Sequence, residues 1–234
     1  MRDTLRGLRQ LLRDLFLMVV IHLPGVSGIR LRRWYYSKRL RGCGAGLTVL
    51  PGVHLAGLHF IEVGDDVMLR ENVIIHAGLP PADDRREVRE LPPLERVERG
   101  VVRIGSHSRI AFGALILGYG GVAIGEKCGV GPHSVLLSET YHHKGRDPSV
   151  VYKYSQGAAP EEQCVLRGGV ELCDGAGVAS HVLVLPGARI GRDAWVGPGS
   201  VVRLAGRIED DVIAKGDPAD TIFRRTYAQA PDSA

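Results

Sequence analysis

The chain has 234 residues, 44% of them hydrophobic and only 6% aromatic, with 31 glycines. That length can bury a proper core, as one domain or one domain with an appendage, and few aromatics with many glycines suit a narrow, repetitive core full of corners. Four cysteines with neither C-x-x-C nor framework spacing exclude a disulfide-stapled scaffold and indicate reduced thiols, while the net charge of +4 divides into +8 on residues 1–41 and −4 on the remainder.

Residues 2–23 read as an amphipathic helix. Leu5, Leu8, Leu12 and Leu15 share one face, and Arg2, Arg6, Arg9 and Arg13 share the other. The apolar run from Leu15 to Leu23 is too short to cross a bilayer, which needs about 20 residues. It lacks a small-residue cleavage site before Pro24, so no cleavable signal peptide is expected and the protein reads as cytoplasmic. Pro24-Gly25 stops the helix. Arg30, Arg32, Arg33, Lys38, Arg39 and Arg41 then interleave with Trp34, Tyr35 and Tyr36. Cations among aromatics suit an anionic membrane surface. They would also suit nucleic acid, and the plain alternative is a helix packed on the rest of the protein or on a sister subunit. Peripheral contact with the inner membrane face is the favoured reading, with no nucleic-acid partner.

From about Leu47 an aliphatic residue returns at every sixth place. Val49, Leu55 and Ile61 keep that register, and after a two-residue slip Val63, Leu69 and Ile75 resume it. Residues 79–100 break the pattern with four prolines and dense mixed charge, and read as a loop thrown out between repeats. The register returns at Ile104, Ile110, Ile116 and Val122, slips by two, and runs on through Ile124, Val130 and Leu136. Residues 141–169 form the second break. They carry His142 and His143 directly beyond a regular repeat, and a loop on a rigid scaffold is where chemistry is usually placed.

The longest uninterrupted register is Leu172, Val178, Val184, Ile190, Val196, Val202, Ile208, with small residues at Ala188, Ala194, Ser200 and Gly206. Period six fits neither a helix nor a single strand. It fits a chain that turns a corner every six residues, the hexapeptide β-helix repeat, with the aliphatics inside a three-sided prism and three hexads to a coil. No coil buries its apolar edge alone, so neighbours must stack. The expected fold is therefore an all-β parallel β-helix with a short N-terminal amphipathic helical segment. The expected divisions are 1–46 for the basic segment, 47–223 for the prism and 224–234 for a tail.

Three stretches carry a resemblance: VLVLPGARIG at 182–191, VGPGSVV at 196–202 and IAKGDPADTIFRR at 213–225. Together they resemble the left-handed β-helix acyltransferases, in particular sugar and polysaccharide O-acetyltransferases and their maltose, galactoside and antibiotic-modifying relatives. The N-terminal LPGVSGIRLRRWYYSKRL is similar to the leader of some envelope-polysaccharide members. The resemblance implies a left-handed prism, against the usual right-handed crossover. It implies a homotrimer with active sites between adjacent prisms, and acetyl-CoA as co-substrate without a metal. It also implies that a His beginning the second loop takes a proton from the acceptor, because a sugar hydroxyl is a poor nucleophile at neutral pH and imidazole titrates near it. Counting from the preceding coil puts that His at or next to Tyr141, and counting back from Asp147-Pro148 puts it at His143. His142 lies between and is preferred, with His143 kept.

Ala179, Ser180 and Gly197 would line the pantetheine groove. Arg203, Lys215, Arg224 and Arg225 would meet the phosphates, since Asp220 stands where relatives carry a cation. Relatives often read W-I-G-A-G after the loop, where this chain has Gly177-Val178-Ala179-Ser180-His181. The acceptor would be a sugar, lipid-linked or nucleotide-linked, with Asn72 and His76 on an earlier coil facing it. The expected function is thus acetyl transfer to a sugar hydroxyl or amine in cell-envelope polysaccharide or glycolipid synthesis. Two alternatives remain open. One is a zinc carbonic anhydrase-like prism using His54 and His59 with His76 or His107. The other is a non-catalytic trimeric scaffold.

Overall fold

In the computed structural model, residues 2–147 and 149–224 are described. Two helices precede the repeats: α1 (Arg2–His22) and α2 (Gly25–Ser37). The sequence reading stopped helical structure at Pro24-Gly25. The chain instead breaks there and restarts, because Pro24 stands in extended conformation at the N-cap of α2.

The repeats build a three-sided prism of parallel strands. Face I begins at Gly42–Cys43 and runs through Ile61–Val63, Val102–Ile104, Val122–Ile124, Val170–Leu172, Arg189–Ile190 and Arg207–Ile208. Face II runs from Thr48–Val49 through Gly129–Val130 and Gly177–Val178 to Trp195–Val196 and beyond. Face III runs from His54–Ala56 through Ile74–His76, Leu115–Leu117, Val135–Leu137 and Leu183–Val184 to Val201–Val202. Each coil visits I, II and III in turn. The first strand lies at Gly42, five residues before the expected start, since its Gly-Cys pair carries no large aliphatic to signal it.

Every aliphatic of the six-residue register is buried, from Val49 to Ile208. The small residues Ser108, Ala114, Ser134, Ala188, Ala194 and Ser200 are buried as well, where a larger side chain would hold the corner open. The two-residue slips have a direct cause. Face I strands in the earlier coils point two residues inward, Ile61 with Val63 and Val122 with Ile124. Several corners take a left-handed backbone, as at Asn72, His133 and His181 (φ 58°, 55° and 57°). The His at 181 is thus a corner residue at a position that glycine fills elsewhere, as Gly113 and Gly199 do.

The ends of the stack are closed differently. α2 packs on the first coil through Tyr36 and the fully buried Arg32. Arg32 donates from Nε to the Val49 carbonyl (2.8 Å) and from Nη1 to that of Leu23 (2.7 Å), and the Tyr36 hydroxyl donates to that of Val53 (3.3 Å). At the far end the last parallel strand of face II, Val212–Gly216, is covered by the antiparallel strand Ala219–Arg224.

The two breaks in the repeat are not independent loops. Strand β1 (Glu87–Glu90) comes from the first, and β2 (Glu139–His142) and β3 (Cys164–Arg167) come from the second. β3 pairs antiparallel with β2 and parallel with β1, giving one three-stranded arm. Both breaks leave the prism at the edge between faces III and I, after Ile74–His76 and after Val135–Leu137. That shared exit brings together segments far apart in sequence.

Candidate active site

The arm is held by a cluster of charges at its root. Arg167, 1% exposed, sets Nε 2.7 Å and Nη2 2.5 Å from Oε2 of Glu139. Arg86 places Nη1 2.9 Å from the other Glu139 oxygen and pairs with Asp84 at 2.8 Å. The Arg86 hydrogen bond holds the Asp84 carboxyl below its usual range, and the same bond raises the Arg86 guanidinium. Glu139 begins β2, and His142 ends it. The cluster therefore fixes the strand that carries the predicted base.

His142 is half-buried, opposite the buried Cys164 on β3. Its Nδ1 lies 2.8 Å from the Lys144 carbonyl oxygen and 3.1 Å from the Lys144 nitrogen. Nδ1 either donates to that carbonyl or accepts from the Lys144 N–H; in the first tautomer Nε2 is unprotonated, the form a general base requires. His143 packs at a tilt of 31° against His142 with centroids 4.8 Å apart, and its Nδ1 is 2.9 Å from the Tyr154 hydroxyl. Beyond them, Glu87 of β1 accepts from the Arg146 backbone N–H and the Tyr152 hydroxyl, tying the outer loop to the arm.

The other predicted residues lie elsewhere. Ala179, Ser180 and Gly197 line the edge between faces II and III, across face III from the edge where the arm leaves. About five extended residues separate these edges, roughly 15 Å. The Ala179 N–H donates to Val196 and the Gly197 N–H to Ala214, so both would line a groove by shape while their N–H groups bind the next coil. Lys215 lies along Gly197, its Cγ 3.1 Å from where a Cβ would stand. Arg203 borders a small hollow of about 100 Å³ formed with Pro218–Thr221. Arg224 is paired with Glu209, and Arg225 lies outside the described residues.

Asn72 shares the II/III edge, two coils nearer the N-terminus than Gly131, and its side chain covers Gly52. His76 lies on face III with its ring 5.7 Å from that of His54. Of the donors named for zinc only His54 and His76 come together, for His59 packs at a tilt against Phe60 and His107 sits 3.7 Å from Asp66. Among the described residues no group of three or more His, Cys, Asp or Glu could hold a metal ion. Sequence reasoning missed a ring ladder on the II/III edge, where Phe112 meets His133 (5.2 Å) and His133 meets His181 (5.4 Å). Its signal was present, because all three fall at the turn of successive coils. A hollow of about 650 Å³ lies on face I, between residues 95–98 and Ala123, away from the histidine pair.

No family model and no curated protein matches the sequence. Solved structures do. AntD, an N-acyltransferase from Bacillus cereus crystallised with dTDP and 3-hydroxybutyryl-CoA, superposes with a TM-score of 0.65 at 17% identity, over 83% of this chain and 88% of that one. The fold is the left-handed β-helix, shared with this structure. The hexapeptide-repeat acetyltransferase VCA0836 from Vibrio cholerae, in complex with acetyl-CoA, matches this β-helix with a TM-score of 0.50 at 18% identity, over 94% of this chain and 87% of that one.

Proposed function

We propose that the protein is an acyl-CoA-dependent sugar acyltransferase, transferring an acetyl group from acetyl-CoA to a hydroxyl or amine of a nucleotide-linked or lipid-linked sugar. The observation that carries this reading is His142, held through Nδ1 at the outer end of the first strand of the second break, in the arm of a β-helix shared with solved acyltransferases. Nε2 of His142 takes the proton as the acceptor oxygen or nitrogen attacks the thioester carbonyl. The CoA sulfur leaves, and the imidazolium returns a proton to it. The similar structures were solved with acetyl-CoA or with an acyl-CoA and dTDP, which supports both donor and acceptor classes. Ala179, Ser180 and Gly197 present a smooth edge suited to the pantetheine arm, with Lys215 beside Gly197 for its phosphates, whereas Arg203 follows Val202 of face III and lies at the III/I corner. Arg224 is already engaged with Glu209 and is the weaker donor.

A trimer resolves the separation of the two edges. Outward residues of face III are almost all apolar: Ile74, Leu115, Leu117, Val135, Leu137 and Leu183. Those of face I are Glu62, Arg103, Ala123, Glu171, Arg189 and Arg207. Three prisms with face III inward would cover the apolar surface, as closed symmetric oligomers do. The III/I edge of each then adjoins the II/III edge of the next. That places His142 of one subunit beside the Ala179–Gly197 edge of its neighbour. The basic N-terminal helices would hold the enzyme at the cytoplasmic membrane face, where a lipid-linked acceptor lies.

The test is thioester cleavage with acetyl-CoA and a panel of nucleotide-linked and lipid-linked sugars. Acceptor-dependent CoA release by the wild type, lost in His142→Ala with acetyl-CoA affinity retained, is expected. Cleavage by neither protein with any acceptor, or equal cleavage by both, counts against the proposal.

A further inference from the structure

The N-terminal helices leave more apolar surface uncovered than the prism needs. Residues 6–16 of α1 are exposed around the whole circumference of the helix. Along one side Leu8, Leu11, Leu12, Leu15, Phe16 and Val19 form a continuous stripe, 42–58% exposed. Arg6, Arg9 and Arg13 occupy the opposite side. No helix among the described residues is long and apolar enough to cross a membrane, and the arginines rule α1 itself out as a span. An amphipathic helix with a cationic polar face lies in the plane of a membrane interface.

α2 fixes the direction of that plane. Its inner side, Gly28, Arg32 and Tyr36, is buried on the first coil. Its outer side, Val26, Arg30, Arg33, Trp34 and Lys38, faces away from the prism, and Lys38 lies over the Trp34 ring at 5.0 Å. Indole with neighbouring cations is the side-chain set found at headgroup depth. α1 is joined to this foot by Phe16 against Tyr35 and by Arg32 bonded to the Val20 and Leu23 carbonyls. The base of the stack is thus a single basic and apolar platform, formed from the part of the chain whose net charge is +8.

We infer that the prism stands on an anionic membrane, base down, with α2 as its foot and α1 lying in the headgroup layer. This extends the membrane contact proposed above by assigning its orientation, and its test does not depend on acyl transfer. Successive coils stack about 4.8 Å apart. His142 leaves the prism three coils above the first, so the arm stands on the order of 15 Å above the foot. That height suits an acceptor sugar carried on a membrane lipid through a phosphate linker.

The chain carries its own reporters, for it has two tryptophans, Trp34 and Trp195. Trp34 lies on the foot. Trp195 is 39% exposed on face II, five strands above Thr48 in the pairing order, on the order of 24 Å away. Full-length single-tryptophan variants, W195F and W34F, would be mixed with vesicles of phosphatidylcholine and phosphatidylserine bearing a headgroup-depth quencher. Trp34 should be quenched and blue-shifted, and Trp195 should not. Binding should fall at least tenfold in R30E/R33E, in L12E/L15E and on raising salt from 0.1 to 0.5 M, and should vanish on pure phosphatidylcholine. Quenching of both tryptophans would refute the upright stance. Quenching of neither, or a smaller oligomer in L12E/L15E with wild-type vesicle binding, would overturn the inference and assign the α1 stripe to a second copy of the chain. Acceptor-free acetyl-CoA affinity, measured on the same variants, reports separately on the catalytic reading.

Discussion

Glu139→Ala offers a direct test of how the arm is held. The substitution removes the carboxylate that accepts from Arg167 Nε at 2.7 Å, lies 2.5 Å from its Nη2 and faces Arg86 at 2.9 Å. Arg167 is 1% exposed, so water cannot replace the lost partner. Breaking a buried ion pair from one side costs about 3–5 kcal/mol, because the other charge is left uncompensated. Glu90 and Asp84 remain at 3.5 and 3.9 Å, which argues for the lower figure. At 1.36 kcal/mol per decade, a cost of about 3 kcal/mol is somewhat over a hundredfold in the opening equilibrium. The loss should be local, since the hydrophobic core of the prism contains no residue of β1, β2 or β3. Amide hydrogen exchange at Tyr141 and Leu166 should therefore speed up by on the order of a hundredfold, with the amides of Val178 and Val196 unchanged. Adding Arg167→Met to the variant should restore part of the protection by removing the stranded charge. Unchanged exchange in the arm, or equal loss across arm and prism, would refute the reasoning.

Four further outcomes are expected. His142→Ala should lower kcat by about a hundredfold to ten-thousandfold, the usual contribution of a general base, and lower kcat/KM for the acceptor equally; His143→Ala should be milder, and the reverse order in steady-state kinetics would move the base to His143. Leu117→Glu with Leu137→Glu should give a folded monomer in sedimentation that binds acetyl-CoA poorly and turns over nothing, whereas an active monomer would disprove the shared site. Asp84 has a folded-state pKa held down by Arg86, so its contribution is complete above the unfolded value of about 3.9 and is lost as pH falls through the folded value. Arm exchange, corrected for intrinsic rates, should accelerate below about pH 4 in the wild type and show no such step in Asp84→Asn. Gly113→Val should cost stability in thermal melts, because the corner has φ 66° and a Cβ there would stand 2.5 Å from the His133 ring.

The prism was legible because its signal is local and repeated. Each coil restates the same aliphatic register, and the glycine and small-residue corners agree with it. The breaks at 79–100 and 141–169 were legible as interruptions, while their pairing was not. The match of Glu87–Glu90 with Cys164–Arg167 joins residues 77 positions apart, and only the shared exit edge makes them neighbours. α2 was hidden because its buried side is Gly28, Arg32 and Tyr36, which no hydrophobic pattern flags. The histidine pair could be named from its position after a coil. Its distance from Ala179 and Gly197 could not, because residues adjacent in a spacing argument come to lie on opposite edges of a face. His181 looked anomalous in sequence and becomes ordinary once its corner is known to be left-handed.

The closure of the first coil by α2 bears on how such a chain avoids end-to-end growth. A parallel β-helix is a stack that could in principle continue, and each open end offers rows of unpaired carbonyls and N–H groups to another molecule. Arg32 and Tyr36 occupy two of those carbonyls, at Val49 and Val53, with side-chain donors that no incoming strand can displace cheaply. Ala219–Arg224 turns antiparallel on the opposite end and breaks the parallel template there. The helix foot is therefore also a stopper against fibril growth, and shortening the chain to residue 42 would trade a closed prism for one primed to polymerise end to end.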